Sequence, residues 1–116
     1  MKFEELLEKI KFEVKFGDKE LIPAIVQDAD RHDVLMMAWM DKEALRRTNE
    51  CGEMVFYSRS RKEYWHKGDT SGNVMTVVNW YADCDADALL FEVRMKGPQV
   101  ACHTGSRSCF FQKCGD

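Results

Sequence analysis

At 116 residues, with 45% hydrophobic and 11% aromatic side chains, the chain has the size and composition of one globular domain spanning 1–116, too apolar for a disordered tail and too short for two cores. Seventeen Lys and Arg against twenty Asp and Glu give a net charge of −3, which argues against a broad basic footprint and so against a nucleic-acid partner, while leaving room for a local phosphate site. The longest apolar run, the seven residues Val34 to Met40, is far short of a membrane span, and MKFEELLEKI has no apolar signal core, so a cytoplasmic protein without membrane contact is expected.

Phe3, Leu6, Leu7 and Ile10 recur at the spacing of one helix face and predict a short amphipathic helix at the start. Residues 21–27 read as a strand whose Pro23 places it at a strand start or sheet edge. Asp28 to Asp33 is turn material, and Val34 to Met40 is a buried strand, so the two runs form a hairpin. Asp41 stands as N-cap before KEALRRTNE, and Gly52 as the residue that ends that helix. Met54 to Ser58, the segment around Tyr64 and Trp65, Val74 to Tyr81 and Ala88 to Met95 are further strands. A turn is expected at Thr70-Ser71-Gly72-Asn73 and a break at Gly97-Pro98. The fold class is α+β, a single compact domain of mostly antiparallel strands with a few helices.

Five cysteines, at 51, 84, 102, 109 and 114, are an odd set in a chain without a secretory signal, so a disulfide framework is not expected. Asp83-Cys84-Asp85-Ala86-Asp87 alternates carboxylates with small residues. In an extended chain the three aspartates share one side and Cys84 takes the other. Crowded carboxylates repel, so at least one proton affinity rises unless a divalent cation binds; oxygen ligands favour Mg²⁺, Ca²⁺ or Mn²⁺. An EF-hand fails, because Ala88 stands where its glycine is required and Arg94 where its glutamate is. A solvated acidic turn accounts for the same residues without a metal.

Cys102-His103-Thr104-Gly105-Ser106-Arg107-Ser108-Cys109 separates two thiols too widely for a zinc knuckle. With Cys84 they make three thiols, a set that leaves one tetrahedral position of a zinc open. His103 is then a fourth ligand, an acid/base group or simply a hydrogen-bonded structural residue. Cys51 and Cys114 are read as incidental. Ser58-Arg59-Ser60-Arg61 and Trp65-His66-Lys67-Gly68-Asp69-Thr70-Ser71-Gly72 hold the parts of a phosphate site, though such residues also form ordinary solvated faces.

The segments FYSRSRKEYWHKGDTSGN, DCDADALL and GPQVACHTGSRSCF resemble the signature blocks of the phosphoribosyl-AMP cyclohydrolase family, an enzyme family of histidine biosynthesis. The resemblance covers roughly residues 21–111 and is closest to the monofunctional form; Ser106 departs from it, where an Arg is common. It implies Mg²⁺ on Asp83, Asp85 and Asp87. It also implies Zn²⁺ on Cys84, Cys102 and Cys109, with the zinc ligands shared between the chains of a homodimer. The implied substrate is phosphoribosyl-AMP, opened at the N1–C6 bond of its adenine, with His103 as proton shuttle. Arg59, Arg61, Trp65, Lys67, Thr70, Ser71 and Arg107 are the expected substrate-binding residues. Two other classes are weighed against this one. A zinc nucleoside deaminase lacks its C-x-x-C here, and a non-enzymatic zinc module has no use for three aspartates.

Overall fold

The computed structural model describes residues 2–15 and 19–115. Side chains that alternate between buried and exposed build its main sheet. In β2 (Lys19–Asp28) Ile22, Ala24 and Val26 are buried while Ile25 faces out. In β7 (Leu89–Met95) Leu89, Phe91, Val93 and Met95 are buried and Arg94 is exposed. These two strands run parallel, pairing Ala24 with Leu89 through Asp28 with Val93. β3 (Val34–Met40) and β1 (Glu13–Lys15) pair antiparallel with β2, and β6 (Met75–Ala82) pairs antiparallel with β7, giving five strands. A separate hairpin joins β4 (Val55–Ser58) to β5 (Glu63–His66).

The elements expected from the sequence are present, with mostly antiparallel pairing, but Pro23 is not on an edge strand. β2 has neighbours on both sides. Pro23 falls where one of them changes, between Leu21, which pairs with β1, and Ala24, which pairs with β7. The sheet thus tolerates a residue without an N–H inside an interior strand.

The amphipathic helix α1 (Phe3–Lys9) lays Phe3, Leu6 and Leu7 against the core, and Ile10 just beyond it is buried. Asp41 caps α2 (Lys42–Cys51) by accepting from the Ala44 N–H at 2.8 Å, and Gly52 ends it at φ 76°. The other Asp41 oxygen accepts from the Tyr64 hydroxyl at 2.6 Å, tying the cap to β5. Buried Thr48 docks α2 on β4: its hydroxyl accepts from the Val55 N–H and donates to the Val55 carbonyl. Trp80 stacks on Phe91, with ring centroids 5.3 Å apart. Among the described residues no helix is long and apolar enough to cross a membrane.

Candidate active site

The acidic segment lies between β6 and β7 as a turn, not as an extended strand. The Asp83 and Ala88 backbones close it, Ala86 adopts φ 60°, and Asp83 Oδ1 accepts from the Asp87 and Ala88 N–H groups at 3.0 and 3.2 Å. The strand alternation expected for Asp83, Asp85 and Asp87 is therefore not what brings them together. The turn does so, with ligand oxygens all within 4.8 Å of one another. Desolvation works against ionisation of Asp83, but the N–H bonds from Asp87 and Ala88 outweigh it and hold the carboxyl below its ordinary value. Asp87 is pushed up, first by the hydrogen bond it shares with Asp85, then by desolvation and the charges of Asp83 and Asp85. Three converging carboxylates, one of them reluctant to ionise, are a donor set that fits a hard divalent cation.

The segment from Cys102 to Cys109 folds as a loop pinned to the start of β3. The Cys109 N–H donates to the Leu35 carbonyl at 2.7 Å, the Ser108 hydroxyl donates to the Val34 carbonyl, and the Ala101 N–H donates to the Arg107 carbonyl. This brings the Cys102 and Cys109 thiols near enough for each to shift the other's ionisation. Cys102 is buried and its thiol is lowered, chiefly by hydrogen bonds from the Thr104 hydroxyl and N–H. Cys109 is pushed up to about 11 by desolvation first and then by Cys102. Two neighbouring thiols of unequal acidity are a donor pair that fits a thiophilic cation. Cys84 does not join them. Among the described residues the three aspartates are the only cluster of three or more His, Cys, Asp or Glu that closes to within 4.8 Å. Cys109 is anchored at β3, whereas Cys84 lies in the turn that joins β6 to β7, with β2 between. At least two strand spacings, about 10 Å, separate those anchors, whereas thiolates on one zinc sit about 4 Å apart. Cys84, Cys51, Cys114 and His103 are exposed.

Lys67 connects the thiol loop to β5. Its ammonium donates to the Ala101 carbonyl at 2.6 Å and lies in the field of Cys102 and Cys109. Desolvation lowers its proton affinity and the thiols oppose that. Two open hollows meet at Arg61 and Trp65. One, of about 510 Å³, is lined by Trp39, Ser58, Arg59, Ser60, Arg61 and Trp65 among others. The second, of about 360 Å³, is lined by Arg61, Trp65, Lys67, Thr70 and Ser71 among others. Six of the seven expected substrate-binding residues thus fall on one surface. The seventh, Arg107, is turned to the β2–β3 turn, where it pairs with Asp28 and Asp33.

The sequence reading missed four residues of this region. Trp39, from β3, carries the Arg59 guanidinium 4.5 Å above its ring. Glu53 and Asp69 hold His66, one carboxylate on each ring nitrogen, with Glu53 at 2.7 Å. Asp33 was read as turn material. Asp69 sits inside the basic segment and was detectable there; Glu53 and Trp39 reach the site through tertiary pairing, which spacing does not reveal.

The family model for phosphoribosyl-AMP cyclohydrolase matches residues 36–111. The phosphoribosyl-AMP cyclohydrolase of Azoarcus sp. is 52% identical over 87% of this chain and 76% of its own length. That of Dinoroseobacter shibae is 50% identical over 89% and 85%. A histidine biosynthesis bifunctional protein of Caldanaerobacter subterraneus is 56% identical over 86% of this chain, which spans about half of that longer relative, 48%. The match runs through the β3 strand, the hollows, the acidic turn and the thiol loop, and on it the chain belongs to the phosphoribosyl-AMP cyclohydrolase family, hydrolases of histidine biosynthesis.

Proposed function

We propose that this cyclohydrolase is zinc-dependent and opens the adenine ring of N1-(5-phosphoribosyl)-AMP at N1–C6. It works in the cytoplasm as a homodimer whose two thiol sites are each completed across the interface. The observation that carries this reading is the pairing of Cys102 with Cys109 apart from Cys84. A tetrahedral metal on the pair needs a third protein ligand, and the partner subunit's Cys84 supplies it. A two-fold axis then makes two such sites at once.

An apolar row on the outward face of the sheet supports the dimer. Met37 pairs with Ile25, Ile25 with Leu90, and Leu90 with Tyr81, so four strands present one line of side chains at matched register. Ile25, Met37 and Tyr81 are exposed, as are Phe110 and Phe111 beyond the thiol loop. Faces of this kind are characteristic of association surfaces.

Cys102, Cys109 and the partner's Cys84 would hold zinc, which would supply a nucleophilic water near neutral pH. The chain's own residues do the rest. Substitution at N1 leaves C6 of the purine electron-poor, so attack there needs little further activation. His103, exposed beside Cys102, takes the proton from the attacking water and returns one to N1 as the N1–C6 bond breaks. Arg59 and Arg61 in the larger hollow and Lys67, Thr70 and Ser71 in the smaller one hold the two phosphate ends. Trp65, shared by both hollows, offers its face to the base between them. Asp83, Asp85 and Asp87 would hold Mg²⁺, which would neutralise their crowded charge and help orient the substrate.

Metal analysis with a product assay tests the reading. Expected are stoichiometric zinc and ring opening without ammonia. Cys84→Ala, Cys102→Ala and Cys109→Ala should each lose zinc and turnover, while Cys51→Ala and Cys114→Ala keep both. Release of ammonia would indicate a deaminase, and full turnover by zinc-free enzyme would remove the metal from the chemistry.

A further inference from the structure

Arg107 lies between the two thiols in sequence, yet its guanidinium is held elsewhere through Nε and Nη2. Nε donates to Asp33 Oδ2 at 3.0 Å, and Nη2 donates to Asp33 Oδ1 at 3.2 Å and to Asp28 Oδ2 at 2.9 Å. The Arg107 side chain is 23% exposed and that of Asp28 9%. Asp28 is itself fixed, since its Oδ1 accepts from the Asp30 and Arg31 N–H groups at 2.9 and 2.8 Å. The β2–β3 turn therefore presents a rigid two-carboxylate cradle, and the guanidinium fork fills it. The backbone on either side of Arg107 carries the constraint to the thiols: its carbonyl takes the Ala101 N–H, next to Cys102, and Cys109 is bonded to β3 two residues on.

We infer that Arg107, Asp28 and Asp33 form a latch that positions the Cys102–Cys109 loop for metal binding, and that Arg107 does not contact the substrate's phosphates. The inference rests on the reading that Cys102 and Cys109 hold zinc. It makes Asp28 and Asp33, which lie on a turn remote in sequence from every motif, positioning residues for the reaction. The latch acts as outer-shell partners of metal ligands act elsewhere, by limiting the freedom of the ligands rather than by touching the metal.

The test uses purified full-length Asp33→Asn, Arg107→Met and the double variant, with Arg107→Lys as a charge-preserving control. Zinc retention is measured by competition with a chromogenic chelator, alongside kcat and KM. Asp33→Asn and Arg107→Met should each weaken zinc retention about 10–100-fold. The double variant should be no worse than the poorer single, because both remove one shared interaction. Arg107→Lys should rescue only part, and KM should stay near that of the parent. A raised KM in Arg107→Met with zinc retention intact and Asp33→Asn silent would overturn the latch and return Arg107 to the substrate. If the parent protein itself binds no zinc, the thiol-metal reading fails, and the latch is judged on the metal-free chains. Cys102 and Cys109 should then react faster with a disulfide reagent in Asp33→Asn and Arg107→Met than in the parent, and equal rates would overturn it.

Discussion

Gly68 follows Lys67 in the turn after β5 and has φ +94°. A Cβ added there would stand 2.4 Å from the Val74 nitrogen and 2.6 Å from the Asn73 carbonyl carbon and the Val74 Cα. All three are backbone atoms, so no side chain can rotate away. Gly72, four residues on, has a similar φ of +81° and nothing within 4 Å of an added Cβ. The pair separates two costs. The left-handed backbone penalty for alanine is about 1–2 kcal/mol, partly offset by the smaller unfolded-state entropy, about 0.5–1 kcal/mol. Gly72→Ala should therefore cost about 0–1.5 kcal/mol. Gly68→Ala adds a clash with a fixed chain, worth about 1–3 kcal/mol by analogy with overpacked cores. It should cost about 1–4.5 kcal/mol in total, and it should displace Lys67 from the Ala101 carbonyl and so lower turnover. Urea unfolding at fixed protein and metal concentration measures both variants, with the difference read in the midpoint at constant slope. Equal midpoints for Gly68→Ala and Gly72→Ala would refute the reasoning, because the close approach is what distinguishes them.

His103→Ala should keep zinc and lose about 10²–10⁴-fold in turnover, the usual loss for a missing acid/base group; zinc loss in that variant would make His103 a ligand. Asp87→Asn removes the carboxyl whose proton affinity its neighbours already raise, so the metal-free protein should unfold no earlier, while the thermal shift given by Mg²⁺ disappears; a retained shift would place the cation elsewhere. Asp28 and Asp33 are both held below the ordinary carboxyl value of 3.8, Asp28 by backbone and Arg107 hydrogen bonds that outweigh its desolvation, Asp33 chiefly by Arg107. The unfolded chain therefore binds more protons, and their contribution is present above about pH 4 and lost as pH falls through the lower folded values. Arg107→Met should make the acid limb of the stability profile shallower and cost about 2–3 kcal/mol at neutral pH, since buried Asp28 keeps its charge but loses its partner; an unchanged acid limb would contradict the pairing.

Local signals specified local structure well. Asp41, the KEALRRTNE run and Gly52 delimit α2 because a cap, helix formers and a left-handed stop act within one stretch of chain. Val34–Met40 was legible as a strand from its apolar run and flanking turns. The parallel pairing of β2 with β7 was not, since it joins segments about sixty residues apart and no local residue encodes it. The acidic cluster was read correctly as a cluster but by the wrong geometry: positive φ at Ala86 and N–H bonds to Asp83 turn the chain where alternation assumed extension. The thiols of Cys102 and Cys109 were grouped from their loop, and the distance of Cys84 from them follows from strand order, which the sequence leaves open. Arg107 shows the same limit. Its residue type suits a phosphate, and its two aspartates come from a turn some seventy-five residues earlier.

Mixing two inactive variants measures the shared thiol site most directly. Cys84→Ala and Cys102→Ala homodimers are each prepared, subunit exchange is demonstrated by tag transfer, and zinc content and turnover are followed. With Cys84 crossing the interface, each mixed dimer contains one site whose three native thiols are intact, so the expected result is partial return of both zinc and activity. No recovery after demonstrated exchange, or a parent protein that sediments as a monomer with full activity, would contradict a site completed by two chains.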